Sequence, residues 1–196
     1  MAHSSTMEKL GSKASDFDLK NLNPLIEKEH FRLSSFDQKP ALLVAFLCNH
    51  CPYVVHIRDS FVSFSNEYQQ KDLAVVVISS NDVGSYPEDG PEKMSDDARN
   101  YSYPFPYLHD ETQEVAKSYR AACTPDFFLY DAGRELVYRG QYDSSRPKNS
   151  IPLTGEDLRN AVDALIQGNV IPENQIPSMG CNIKWKSGKE PEYFAS

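Results

Sequence analysis

The chain has 196 residues, 40% hydrophobic, 24% charged and 11% aromatic, the composition of one globular domain able to bury about 70% of its unfolded surface. Twenty Lys and Arg against 28 Asp and Glu leave a net charge of −8, and without a basic cluster this argues against nucleic acid or an anionic membrane as partner. Four Cys are too few for a secreted disulfide scaffold, and no leader-like segment or ~18-residue apolar run occurs, so a soluble cytoplasmic protein is expected.

Residues 1–11 are expected to be disordered or tag-like, 12–168 to form the domain, and 169–196 to be an irregular C-terminal extension packed on it. Ala41–Leu47 (ALLVAFL), Leu73–Ser80 (LAVVVISS) and Phe127–Tyr130 (FFLY) are continuous apolar runs, the pattern of strands covered on both faces. Between the first two, Val54, Ile57, Phe61, Phe64 and Tyr68 recur at helical spacing, so a βαβ unit with parallel strands is predicted. Asn81 to Ser95 reads as a surface loop, and the acidic stretch Glu88–Asp97 as a solvated face. Ser95-Asp96-Asp97 is predicted to cap a short helix through about Tyr101, and Asp110 another over Glu111 to Tyr119. Phe127–Tyr130 and Leu136–Arg139 flank a short connection containing Gly133, an antiparallel hairpin signal. Thr154-Gly155-Glu156-Asp157 opens a helix with Leu158, Val162, Leu165 and Ile166 on its apolar side, and a Pro-rich tail follows Gly168. The expected class is α/β, a central mixed sheet flanked by helices.

Cys48-Asn49-His50-Cys51 falls where the first buried strand ends and the amphipathic helix begins. A thiol at a helix N-cap meets free backbone N–H groups and the positive dipole end, which favour the thiolate. Placing Cys48 there predicts that Cys48 is the low-pKa, attacking thiol and Cys51 the resolving one, three residues on and close enough for a disulfide. An imidazolium at His50 would stabilise the Cys48 thiolate further. A different use of the same thiolates is metal binding by Cys48 and Cys51, completed by Cys123 and Cys181 or by His50 or His56, although the paired second knuckle of a structural zinc site is missing. Cys123 is expected to pack as a small buried residue. Cys181, in an irregular segment beside Gly180, is either filler or an additional redox cysteine that folds back on the site.

The segments FLCNHCPYV (Phe46–Val54), CTPDFFL (Cys123–Leu129), YRGQ (Tyr138–Gln141) and GCNIKWK (Gly180–Lys186) resemble the signatures of the thioredoxin-like, peroxiredoxin-like redoxin family, over about Ser12 to Lys186. The resemblance implies a thioredoxin fold and a thiol–disulfide oxidoreductase acting on protein or small-molecule thiols, without a cofactor or metal. It implies Cys48 and Cys51 as the redox pair, and Thr124-Pro125 as a cis dipeptide whose backbone meets substrate. Leu42 stands six residues before Cys48, where many thioredoxins carry a buried acid, so proton transfer is left to His50, His56 or water. Peroxiredoxins resemble this fold but use Pro-x-x-x-Thr-x-x-Cys. Counting back from Cys48, those places hold Ala45 and Ala41, and from Cys51, Cys48 and Val44, so efficient peroxidase chemistry is not expected.

Overall fold

In the computed structural model, which describes residues 2–194, the apolar runs become the central strands. β1 is Ala2–Ser4, β2 Asp18–Asn21, β3 His30–Arg32, β4 Ala41–Phe46 and β5 Leu73–Ser79. β6 is Tyr107–His109, β7 Cys123–Thr124, β8 Asp126–Tyr130, β9 Leu136–Gly140 and β10 Met179–Asn182. The helices are α1 Pro52–Gln69, α2 Pro91–Asn100, α3 Glu114–Ser118 and α4 Glu156–Gln167.

Seven strands form one mixed sheet in the order β3-β2-β6-β5-β4-β8-β9. β4 runs parallel to β5 from Ala41 opposite Leu73 to Phe46 opposite Ile78, and antiparallel to β8 on its other side. Alternation along β4 sends Ala41, Leu43 and Ala45 to one face and Leu42, Val44 and Phe46 to the other, and both faces are buried. Val54, Ile57, Phe61, Phe64 and Tyr68 of α1 cover the first face, joined by α2 and α4. α3, Phe17, Phe36 and the tail residues Ile183 and Trp185 cover the second. This is the expected central mixed sheet flanked by helices, and continuous apolar runs are what two covered faces require.

The boundaries differ where capping is decided by Gly and Pro. α2 starts at Pro91 after Gly90, four residues before the expected Ser95 cap, because Pro is suited to the first helical position. α3 is shortened to Glu114–Ser118 behind Gln113, whose φ is 68°. Asp110 still serves an amide there, accepting from Ala116 N at 2.9 Å. In α4, Leu158 and Val162 are buried, while Ile166 is exposed.

A second, three-stranded sheet joins the termini to the centre in the order β1-β10-β7. Residues Ala2–Ser4, expected to be unstructured, form an edge strand because β10 offers them a free backbone edge. The tail beyond β10 is tied down by Ile183 N to Ala122 O at 3.1 Å and by Asp82 N to Lys184 O at 2.8 Å. Among the described residues, no helix is long and apolar enough to cross a membrane.

Candidate active site

The loop leaving β4 carries Cys48, Asn49 and His50, and α1 begins at Pro52 with Cys51 as its N-cap residue. The helix therefore starts three residues later than the position that would make Cys48 the cap. Pro52 sets that start: its fixed φ and missing N–H fit the first helical position and no earlier pairing. The advantage of a helix N-terminus thus passes to Cys51.

Both sulfurs converge on one residue of β7. Cys48 Sγ lies 3.3 Å from Thr124 Oγ1, and Cys51 Sγ lies 3.2 Å from the Thr124 carbonyl oxygen, which accepts from Cys51 when that sulfur is protonated. The following peptide, Thr124–Pro125, is cis. Cys48 and Cys51 are both buried, and no disulfide joins them in this structure.

The pair shares a proton unequally. The Cys48 S–H donates to Cys51, and with lesser help from Cys181 and the Val54 amide this lowers the Cys51 thiol to about 5, against the opposing effect of burial. The Cys48 thiol is pushed up by the same contact, by burial and by the Asp89 carboxylate facing it. This direction runs against the expectation that Cys48 is the low-pKa thiol, and its first cause is the hydrogen bond between the two sulfurs.

Leu42 lies in the core, and the acid that faces Cys48 is Asp89. It sits in the 3-10 turn Pro87–Asp89 and is fully buried, within a stretch expected to be a solvated face. Its oxygens accept from Asn49 N at 2.8 Å and from Asn81 Nδ2 at 2.7 Å. His50 Nδ1 is 2.8 Å from Asp89 Oδ2, close enough for an ion pair but out of line for a formed hydrogen bond. The His50 ring stacks on Tyr86 at 5.7 Å. Asn49 pins the loop: its Nδ2 donates to Glu88 O at 2.8 Å, its Oδ1 accepts from Tyr107 Oη at 2.8 Å, and its carbonyl accepts from Arg58 Nη2 at 2.7 Å. Arg58 is buried against Asp97 at 3.2 Å and lies 4.1 Å from the centre of the Tyr101 ring. Asp89, Asn49 and Arg58 were not singled out from the sequence. Polar residues adjoining the Gly90-Pro91 helix start were the available signal for Asp89.

Among the described residues, one donor set could hold a cation: Cys48 Sγ, His50 Nδ1 and an Asp89 oxygen lie within 4.8 Å of one another. Cys51 is not part of it, so a metal reading based on Cys48 and Cys51 becomes one based on Cys48, His50 and Asp89. His56 Nε2 instead pairs with Ser145 Oγ at 2.8 Å. Cys123 is buried, turned to the Pro125 carbonyl at 3.5 Å, with its thiol pushed well up by burial. Cys181 does return to the site: it lies opposite Thr124 in the β10–β7 pair and within side-chain hydrogen-bond reach of Cys51.

Comparison with known proteins fits this geometry into a family. The AhpC/TSA family matches residues 10–139, most of the chain. The chain belongs to the AhpC/TSA family. Two solved structures are close to it over nearly their whole length. A hypothetical protein of Sinorhizobium meliloti is 49% identical with a TM-score of 0.90, over 94% of this chain and 99% of its own. An uncharacterized conserved protein of Geobacillus kaustophilus is 49% identical with a TM-score of 0.92, over 96% and 98%. Peroxidoxin BcpB from Mycobacterium tuberculosis is 18% identical, with a TM-score of 0.59 over 82% of this chain and 97% of its own, which shows the shared fold. Among curated proteins, none matches this chain. This AhpC/TSA member is thus a redox protein in a thioredoxin fold.

Proposed function

We propose that the protein is a thiol–disulfide oxidoreductase whose working group is the Cys48–Cys51 pair. The observation that carries this reading is two buried sulfurs that meet on Thr124, one 3.3 Å from its Oγ1 and the other 3.2 Å from its carbonyl oxygen. Oxidation of the pair by a partner disulfide removes two electrons. The Cys51 thiolate attacks one partner sulfur and the first partner thiol leaves. Cys48 then displaces the second as its proton passes to the Asp89 carboxylate, with His50 beside it as the group through which the proton reaches solvent. Protein or small-molecule thiols both suit this chemistry.

The test follows the Cβ NMR shifts of the cysteines in the reduced protein against pH, together with a thiol count before and after equilibration in a glutathione redox buffer. Cys51 should titrate near pH 5 and Cys48 far above it, and the count should fall by two on oxidation. A titration at Cys48 in the acidic range, with Cys51 silent, would reverse the roles. No loss of thiols would remove the reading.

Two observations favour other chemistry, and both are measurable on the same preparation. Membership of the AhpC/TSA family supports thiol peroxidation, although Ala45 and Ala41 occupy the positions where a peroxiredoxin pattern places Thr and Pro. Peroxide-dependent loss of thiols in excess of the glutathione reaction would favour it. The Cys48, His50 and Asp89 donor set supports metal binding, and stoichiometric metal in the purified protein would favour that.

A further inference from the structure

The residue left over by the pair chemistry is Cys181, and it is not placed by accident of packing. β10 runs antiparallel to β7 with Cys181 directly opposite Thr124, so both side chains leave the same face of the small sheet. That face holds the pair, since Thr124 Oγ1 is 3.3 Å from Cys48 Sγ. The approach depends on Gly180, where a Cβ would stand 1.9 Å from the Thr124 carbonyl oxygen. Cys181 thereby reaches the Cys51 sulfur with both its side chain and its backbone N–H. Burial and that neighbouring sulfur push its thiol up to about 12 in the reduced protein. Cys48 and Cys51 are buried, whereas Cys181 is half-buried.

We propose that Cys181 is a third redox cysteine, which takes the disulfide over from Cys48 by bonding to Cys51. This rests on the redox reading of the Cys48–Cys51 pair and names the residue through which the oxidised pair is reached by an outside thiol. Starting from the Cys48–Cys51 disulfide, the Cys181 thiolate attacks Cys51 Sγ. The Cys51–Cys181 bond forms, the Cys48–Cys51 bond breaks, and Cys48 leaves as a thiolate that takes up the proton Cys181 lost. No electrons enter or leave the protein, and no co-reactant is needed. The exchange moves the disulfide from two buried sulfurs to a pair with one half-exposed member, where an outside thiol reaches it. In the oxidised protein Cys51 carries no charge, so its part in holding the Cys181 proton is gone when the attack takes place.

Cys48→Ser and Cys181→Ser are each equilibrated with oxidised and reduced glutathione, quenched in acid, alkylated and mapped by peptide mass. Cys48→Ser keeps three cysteines, and the expected result is loss of two thiols to an intrachain Cys51–Cys181 disulfide, with Cys123 alone still alkylated. Cys181→Ser should form the Cys48–Cys51 disulfide. If Cys181→Ser forms its disulfide and Cys48→Ser yields only a glutathione adduct with Cys181 fully alkylated, the proposal is overturned while the pair reading stands. If neither forms a disulfide, the pair reading fails as well. The parent protein guards against a misfolded variant: a quenched fraction with Cys48 alkylated and Cys51 joined to Cys181 is expected, and its complete absence there also overturns the proposal.

Discussion

Replacing Gly180 by Ala tests the seating of β10 over the cysteine pair. The new Cβ would stand 1.9 Å from the Thr124 oxygen and 2.6 Å from its carbonyl carbon, where real contacts do not fall below 3.0 Å, so something must retreat by at least 3.0 − 1.9 = 1.1 Å. Neither side yields easily. Thr124 is held by Cys51 and by the start of β8, and β10 is held by β1 on its far edge and by Ile183 N to Ala122 O at 3.1 Å beyond its end. Forced overpacking of this kind costs about 1–3 kcal/mol. For a domain of this length each kcal/mol lowers Tm by roughly 2–4 °C, so Gly180→Ala should melt roughly 2–12 °C below the parent. Differential scanning calorimetry of the reduced protein measures it, and iodoacetamide labelling of Cys51 should be faster in the variant because the covering strand has lifted. A variant that melts within a degree of the parent and labels at the parental rate would refute the close approach of β10 to Thr124, and with it the argument for Cys181.

Two further outcomes are expected. Burial raises Asp126 from 3.8 to about 7, so between those pH values the native state keeps a proton that the unfolded chain has released, and stability falls as pH rises through that window. Asp126→Asn removes the penalty, and its stability relative to the parent should improve by up to about 4 kcal/mol between pH 4 and pH 8 in urea unfolding, from 7 − 3.8 = 3.2 at about 1.36 kcal/mol each; a difference independent of pH would contradict this. Asp89→Asn removes the carboxylate that helps to hold up the Cys48 thiol, so the Cys48 Cβ titration should move to lower pH. The same variant should be roughly 1–3 kcal/mol less stable, because Asn49 N and Asn81 Nδ2 can no longer both find an acceptor, and an unshifted Cys48 titration would show that Asp89 does not face the pair.

The sequence by itself determined the central frame. The unbroken apolar runs at Ala41, Leu73 and Phe127 became β4, β5 and β8, and the helical spacing from Val54 to Tyr68 became the buried face of α1. It also placed two cysteines at the strand-to-helix turn and singled out Thr124-Pro125, whose bond is cis. The strands, the helix and the turn are legible because they arise between near neighbours, the period of a strand or helix being a local property, whereas the cis Thr124–Pro125 bond was implied by the family resemblance. Pro52 was equally local evidence, since as the first helical residue, rather than the fourth, it puts Cys51 at the cap. Other features had no local signature. Asp89 lies in an acidic, Gly- and Pro-rich stretch that reads as solvated, and it is buried only because Asn49, 40 residues away, and Asn81, 8 residues away, supply its hydrogen bonds. β10 is four residues with no apolar alternation, and it becomes a strand because the free edge of Cys123–Thr124 accepts its backbone and Gly180 lets the two chains touch. Tertiary structure alone decided which acid faces Cys48 and which third sulfur reaches Cys51, since both depend on contacts between segments that carry no period of their own.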